Sequence, residues 1–202
     1  MTTTKEDIAS RAFLLVGGNP VTDFDSGESQ ESDLANILYE EIVQAELGSY
    51  PWNFAKSKVQ LSRDSTDPIG SEWSAQYLID VAAITIRGVL VESNNIQYEI
   101  QGTRILCDAS TNDTVIMEYL GRPDEAQWPP YFQLAMIYRL AGDFGGSLAR
   151  DGELVEAFEN KYMFQLRRAK AMDSQSETSR PLRTRRLINA RRGGGRYFPG
   201  GE

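Results

Sequence analysis

The sequence predicts an α+β fold: a mainly helical bundle of about four helices, a small antiparallel β-sheet and an extended C-terminal arm. Three observations support this prediction. Apolar residues recur at spacings of three and four near both ends of the body, which is the period of an amphipathic helix. Between residues 57 and 119 they alternate, as in a half-buried strand. From residue 172 onwards neither period continues.

The first helix is predicted over residues 4–17. Thr3 and Glu6 have the spacing of a capping box, and Gly17-Gly18 supplies a C-terminal stop. The apolar face between them consists of Ile8, Ala9, Ala12, Phe13, Leu15 and Val16. This face indicates a helix that packs against a core.

The second helix is predicted over residues 31–48, after a loop rich in Asp, Ser and Gly. Its apolar positions are Leu34, Ile37, Leu38, Ile42 and Ala45, and Gly48 ends the pattern. We expect the first two helices to pack as a hairpin.

The β region is predicted over residues 57–119. Val59 and Leu61 alternate, and a β-branched stretch runs from Ile84 to Val91. The turn Gln101-Gly102-Thr103 separates two alternating segments, 96–100 and 105–107, and a last strand is predicted around residues 115–119. Cys107 falls at an inward position, where it is expected to be a small core residue. We also expect core roles for the aromatic residues that flank the sheet, which are Trp52, Phe54, Trp73 and Trp128.

Two further helices are predicted over residues 129–147 and 151–171. Trp128-Pro129-Pro130 opens the first of them, since proline is tolerated in a first helical turn. Its apolar positions include Phe132, Ala135, Met136 and Leu140. The second carries Leu154, Phe158, Tyr162, Leu166 and Ala169.

Residues 1–171 are therefore predicted to form the body, and residues 172–202 a flexible arm rich in Arg and Gly. The net charge of −8 is divided unequally between them. The arm holds seven arginines against three acidic residues, so the body carries −12. Such a split indicates that the arm has its own partner. We expect the body to stay folded without the arm.

The composition excludes several functions. The chain has one cysteine and no histidine, which rules out an intramolecular disulfide, a Cys/His zinc site and catalysis by imidazole. No apolar run reaches the length of a membrane span and the start lacks the pattern of a secretory signal, so a soluble protein made in a cytosol is expected. The sequence predicts no enzyme, no catalytic residue, no cofactor site and no membrane partner.

Two segments resemble ligand sites only superficially. The acidic loop Asp23, Asp25, Glu28, Glu31 and Asp33 lacks EF-hand spacing, and helix capping explains its composition better than a metal does. Gly193 to Gly195 lack the strand, helix and Gly-Lys-Ser/Thr of a phosphate loop, so a hinge is favoured.

A series of motifs resembles a known family. The first helix ends in Val16-Gly17-Gly18-Asn19-Pro20-Val21, and after the acidic Ser-rich loop and a helix comes Tyr50-Pro51-Trp52-Asn53-Phe54-Ala55-Lys56. Later, Trp128-Pro129-Pro130 opens a helix pair. This order is similar to the tail tubular protein A family of phage head-to-tail adaptors, over about residues 5–171. Trp52-Asn53-Phe54-Ala55 is the most specific element.

The end of the arm carries a second resemblance. Arg196-Tyr197-Phe198-Pro199-Gly200, after a Gly/Arg-rich linker, is similar to the C-terminal arm of the portal-bound adaptor of some short-tailed phages. The arm is longer and richer in arginine than the first group would lead one to expect.

Together the two resemblances imply a structural virion protein at the head-to-tail junction of a phage, made in the host cytoplasm. They imply a homo-oligomeric ring, commonly of twelve subunits, that connects the portal protein to the tail nozzle or another tail protein. DNA would pass through its lumen during genome ejection without specific binding. The motif residues Trp52, Asn53, Phe54, Ala55, Trp128 and Pro129 would be structural. The expected portal contacts are Arg183, Arg185, Arg186, Leu187, Ile188, Arg191, Arg192, Arg196, Tyr197 and Phe198.

Two other functions compete with the adaptor. The arginines of the arm would contact phosphates if the chain were a nucleic-acid-binding protein. A carboxylate-dependent glycosidase carried in a virion would need two carboxyl groups across a cleft. Adjacent pairs such as Glu40-Glu41 do not face each other on a helix, which disfavours that chemistry.

Overall fold

The computed structural model describes residues 3–25, 27, 29–66, 68–148 and 152–176. Within these ranges the chain forms four α-helices and eight β-strands, which confirms the predicted α+β class. The helices are α1 (Lys5–Leu15), α2 (Gln30–Ser49), α3 (Pro130–Leu148) and α4 (Gly152–Ser174). None of these helices is both long and apolar enough to cross a membrane.

The cap of α1 lies one residue later than predicted. Thr4, not Thr3, is the N-cap residue, and its hydroxyl accepts a hydrogen bond from the backbone N–H of Asp7. The Asp7 carboxylate accepts one from the N–H of Thr4 in return, at 3.1 Å. Aspartate thus takes the role that the Thr3–Glu6 spacing assigned to glutamate, because both pairs satisfy the same geometry.

The hairpin predicted for α1 and α2 is not the main packing arrangement, because α1 packs chiefly against α3. The rings of Phe13 and Phe144 stack with centroids 4.2 Å apart. Val16 reaches the backbone of α3 at Gly145, where a Cβ atom would lie 3.2 Å from the Val16 Cγ1 atom. The α1–α3 contact is therefore close because Gly145 has no side chain.

The strands divide between two four-stranded antiparallel sheets, where one small sheet was predicted. The first sheet has the order β1-β8-β4-β5 and the second the order β2-β3-β7-β6. The strands are β1 (Lys56–Gln60), β2 (Ser62–Arg63), β3 (Ala75–Leu78), β4 (Thr85–Val91), β5 (Asn94–Ile96), β6 (Tyr98–Gln101), β7 (Arg104–Cys107) and β8 (Val115–Leu120). The short strands β2 and β3 were not predicted.

The chain changes sheets at Gln97. Before it, β5 pairs with β4, and Val91 lies opposite Asn94 across a turn in which Glu92 and Ser93 have φ of 49° and 69°. After it, β6 pairs with β7 across the predicted turn, where Gly102 has φ of 59°. The alternating segment 96–100 therefore belongs to two strands. Apolar residues alternate without a break from one strand to the next, so the sequence pattern does not show where β5 ends and β6 begins.

Two hydrophobic cores hold the fold together. The first joins the four helices and includes Trp52, Trp128 and Leu120. The second lies among the strands, receives side chains from both sheets and contains Cys107. Trp73 is only partly buried and belongs to neither core; its indole N–H donates to the Glu99 carboxylate at 2.9 Å.

Helix α4 continues past the predicted boundary of the body. It ends at Ser174, and Asp173 is buried with 1% of its surface exposed. A boundary at residue 171 therefore falls inside this helix. Residues 177–202, which contain all the predicted portal contacts, lie outside the described residues.

Candidate functional site

The motif Trp52-Asn53-Phe54-Ala55 forms the connection between α2 and β1. Residues Asn53–Ala55 make a single 3-10 turn, and Trp52 is fully buried before it. The indole N–H of Trp52 donates to the carbonyl of Glu46 at 3.0 Å, so the ring is tied to the end of α2.

The two motifs that are distant in sequence meet at Phe132, in the first turns of α3. The ring centroids of Trp52, Phe54 and Trp128 lie 4.9, 4.9 and 5.1 Å from that of Phe132. Edge-on and tilted ring pairs of this kind are favourable beyond their buried area, by about 0.5–1.5 kcal/mol each. Pro129 accepts hydrogen bonds from the backbone N–H groups of Phe132 and Gln133 and so begins the helix.

Asn53 binds the C-terminal end of α4. Its backbone N–H donates to Oδ2 of Asp173 at 2.8 Å, and its Nδ2 donates to the carbonyl of Asp173 at 2.6 Å and to Oγ of Ser176 at 3.2 Å. The hydroxyl of Tyr131 donates to Oδ1 of Asp173 at 3.0 Å. We name these four residues, Asn53, Tyr131, Asp173 and Ser176, the Asp173 cluster.

The Asp173 cluster solves two problems of a helix end. The last carbonyls of a helix have no partners inside it, and Asn53 supplies one from another element. A buried carboxyl group also needs donors, and both of its oxygens have one here. Burial, followed by the hydrogen bond to Asp173, raises the pKa of Tyr131 to about 12, so its hydroxyl stays a donor at neutral pH.

The cluster is reinforced on both sides. Tyr50 directs its hydroxyl to the carbonyl of Lys170 at 3.5 Å, and the ammonium of Lys170 lies 5.3 Å from the centroid of the same ring. Lys56 donates to the side-chain carbonyl of Asn53. The last turn of α4 is therefore held from α2, the 3-10 turn and α3.

The sequence pattern predicts Asp173 as part of the arm and no role for Tyr131. A signal for Asp173 was present, since it continues the spacing of the buried positions Phe158, Tyr162, Leu166 and Ala169 by four residues. An aspartate at that position fits the start of a polar segment equally well. Only the fold shows that Asn53 and Tyr131 supply its donors.

A polar network lies beside Trp128 at the entrance to α3, where the guanidinium of Arg122 is 5.3 Å from the centroid of the Trp128 ring. Arg122 donates to Glu125 at 2.6 Å and binds both carboxylate oxygens of Glu40. The hydroxyl of Tyr39 donates to Glu125 at 3.0 Å. Burial raises the pKa of Tyr39, with a further contribution from the charge of Glu125. This network joins α2 to the chain that leaves β8.

The acidic loop is tied to the segment that follows the first helix. Oε1 of Glu31 accepts hydrogen bonds from the backbone N–H and the side-chain amide of Asn19, both at 3.1 Å. The backbone hydrogen bond from Asn19 is the main cause of the lowered pKa of Glu31. Asp23 accepts from the N–H of Asp25 at 2.9 Å. Among the residues that the structure describes, no three acidic or cysteine side chains gather as metal ligands would.

A polar groove of about 480 Å³ crosses the first sheet. Three cationic residues line it, Lys56, Lys58 and Arg87, together with one acid, Glu118. Glu118 forms an ion pair with Lys58 at 2.5 Å. A groove with one neutralised carboxyl group lacks the two carboxyl groups of a glycosidase and suits an anionic surface better.

No family model matches the chain, and no match was found among curated proteins.

Proposed function

We propose that the chain is a structural protein of the phage virion, a head-to-tail adaptor that forms a ring between portal and tail around the DNA exit channel. The proposal rests on the resemblance of the two motifs and of the end of the arm to adaptor proteins. In this role the body is the ring subunit and residues 177–202 dock it to the portal.

The Asp173 cluster is the observation that carries the proposal. It holds the last turn of α4 with hydrogen bonds from two other elements, at the point where the body passes into the arginine-rich segment. If such a segment is to hold the body on a neighbouring protein, its first residues must be firmly attached to the body. The most specific motif of the resemblance thus provides the anchor that such an arm needs.

The charge distribution supports the same role. Residues 1–171 carry a net charge of −12, which repels the phosphates of DNA and favours passage through a lumen without binding. The seven arginines of the segment after Ala171 pair with carboxylates through two parallel hydrogen bonds, which suits a protein partner.

One observation favours nucleic-acid binding as a second candidate. Lys56, Lys58 and Arg87 line one groove of an otherwise acidic body, and the arginines of the arm would add to it. In that case the affinity of the full chain for duplex DNA falls steeply with salt.

The portal interaction is tested with the full chain and immobilised portal rings. Charge reversal at Arg183, Arg185 and Arg186 is expected to slow association and to reduce its salt dependence. Replacing Tyr197 and Phe198 by alanine is expected to speed dissociation, because buried aromatic anchors dominate interface energies. A chain that ends at Ser176 and still docks with wild-type affinity would refute the proposal. DNA binding with no portal binding would favour the second candidate.

A further inference from the structure

The outer side of α2 combines an exposed apolar residue with acidic neighbours. Ile37 has 70% of its surface exposed and lies two residues before the buried Tyr39, so it points about 200° away from it around the helix. Of the four residues three and four positions from Ile37, three are acidic and exposed, Asp33, Glu40 and Glu41, and the fourth is the half-buried Leu34. We name Asp33, Ile37, Glu40 and Glu41 the acidic face. The sequence of α2 contains five acidic residues and neither lysine nor arginine.

The outer side of α4 likewise combines an exposed apolar residue with charged neighbours, but the neighbours are basic. Phe164 has 58% of its surface exposed and lies two residues after the buried Tyr162. Of the four residues three and four positions from Phe164, three are basic, Lys161, Arg167 and Arg168, and the fourth is Asn160; all four are exposed. The guanidinium of Arg168 lies 5.9 Å from the centroid of the Phe164 ring. We name Lys161, Phe164, Arg167 and Arg168 the basic face.

We infer that the acidic face of one copy binds the basic face of the next copy of this chain. Each face has one large apolar side chain at its centre and charges at the flanking helical positions, and the signs are opposite. Glu40 is partly engaged by Arg122 within its own chain, so Asp33 and Glu41 are the charges available to the neighbour. Ile37 and Phe164 lose their exposure to water in the contact.

A second copy is the occupant because both complementary surfaces occur on one chain. Two different faces that bind each other form a heterologous contact, which closes into a ring or continues as a filament. The inference rests on the proposed function, since a ring of identical subunits needs a contact of this kind. A nucleic acid or an anionic membrane would be repelled by the acidic face and would leave it uncovered.

The two parts of each face have separate effects on binding. The flanking charges steer association and make it dependent on ionic strength. The central side chains act as anchors, and the loss of an anchor typically weakens an interface about 30-fold or more. The two contributions can therefore be separated by substitution.

The test uses full-length variants and sedimentation velocity. Ile37→Asp and Phe164→Asp are each expected to weaken self-association about 30-fold or more. An equal mixture of the two variants retains one intact contact per pair, between the acidic face of the Phe164→Asp chain and the basic face of the Ile37→Asp chain. The mixture is expected to form one-to-one dimers and nothing larger.

A charge exchange tests the pairing itself. Glu41→Arg and Arg168→Glu are each expected to weaken association, and a chain that carries both is expected to recover it. Ile69→Asp is the matched control, because Ile69 is 95% exposed and lies on neither face. Circular dichroism melting of each variant shows that the subunit remains folded.

The results distinguish this inference from the proposed function. Wild-type chains that stay monomeric, or Ile37→Asp chains that assemble as wild type does, overturn the inference. If such chains still dock on portal rings, the proposed function survives. Chains that assemble through the two faces but do not bind portals support the inference and contradict the adaptor role.

Discussion

At the scale of single residues, Asp173 shows how one polar side chain can organise a junction. It is buried, yet both carboxyl oxygens accept hydrogen bonds, one from Asn53 and one from Tyr131. Its carbonyl accepts from the side chain of Asn53. Removal of the carboxyl group leaves two donors without acceptors. This costs more free energy than removing donor and acceptor together.

Asp173→Ala is expected to lower the stability of the body. A buried donor without a partner costs about 1–3 kcal/mol, so a total loss of roughly 2–4 kcal/mol is expected. For a protein of this size each kcal/mol corresponds to about 2–4 °C in melting temperature. Thermal melting by circular dichroism measures the loss. Glu156→Ala, an exposed position on the same helix, is the control and should change little. Equal melting temperatures for both variants would contradict the role of the cluster.

The raised pKa of Tyr131 predicts that the protein loses stability in alkali. Its pKa of about 12 in the folded protein exceeds the value of about 10 in an unfolded chain. The folded state therefore holds the phenolic proton more tightly, and this contribution is complete below pH of about 10 and lost as the pH rises towards 12.

Urea unfolding of wild type and Tyr131→Phe between pH 9 and 12 isolates this contribution. Tyr39 and Tyr162, whose pKa values are also raised, titrate in both proteins, so the difference in slope belongs to Tyr131. The wild type should lose stability more steeply than the variant above pH of about 10. Parallel curves would show that the pKa of Tyr131 is not raised in the folded protein.

At the scale of elements, α3 packs against both α1 and α4, and its contact with α1 depends on a small residue. Gly145 faces Val16, the C-cap residue of α1, where a Cβ would be tight at 3.2 Å, while Gly146 is exposed and a Cβ there would make an ordinary contact of 3.7 Å with Val155. A side chain at Gly145 would therefore push Val16 away, whereas one at Gly146 would be accommodated.

Substitutions at these two positions should have opposite effects. Gly145→Leu forces α1 away from α3 and is expected to cost about 1–3 kcal/mol, the usual cost of overpacking. Gly146→Ala is expected to gain up to about 1 kcal/mol, since alanine favours the helix more than glycine does. Denaturant unfolding measures both. A destabilising Gly146→Ala would mean that the end of α3 is not helical in solution.

At the scale of the whole molecule, the position at which the body ends decides how the arm can be removed. A chain that ends at Ser176 keeps the Asp173 cluster, whereas one that ends at Ala171 loses Asp173 and Ser176. The first truncation should melt as the full chain does. The second should melt about 4 °C or more lower, as estimated for Asp173→Ala. Equal melting temperatures of the two truncations would place the end of the body at residue 171.

The sequence by itself determined the fold class and the position of most elements, because helical and strand periods persist through long segments. The apolar stripes of α3 and α4 and the turn at Gly102 were all predicted from local pattern. The capping box of α1 was displaced by one residue because Thr3 and Thr4 both have an acid three positions later.

Only the tertiary structure decided how these elements combine. The division of the strands at Gln97 depends on pairing with β4 and β7, which are distant in sequence, and alternation is the same in either sheet. The contact of α1 with α3 required Gly145 to lie beside Val16. The donors of Asp173 come from positions 120 and 42 residues away, so no local pattern announces them. Local periodicity specifies which face of an element is buried, whereas the partner of that face is set by long-range packing.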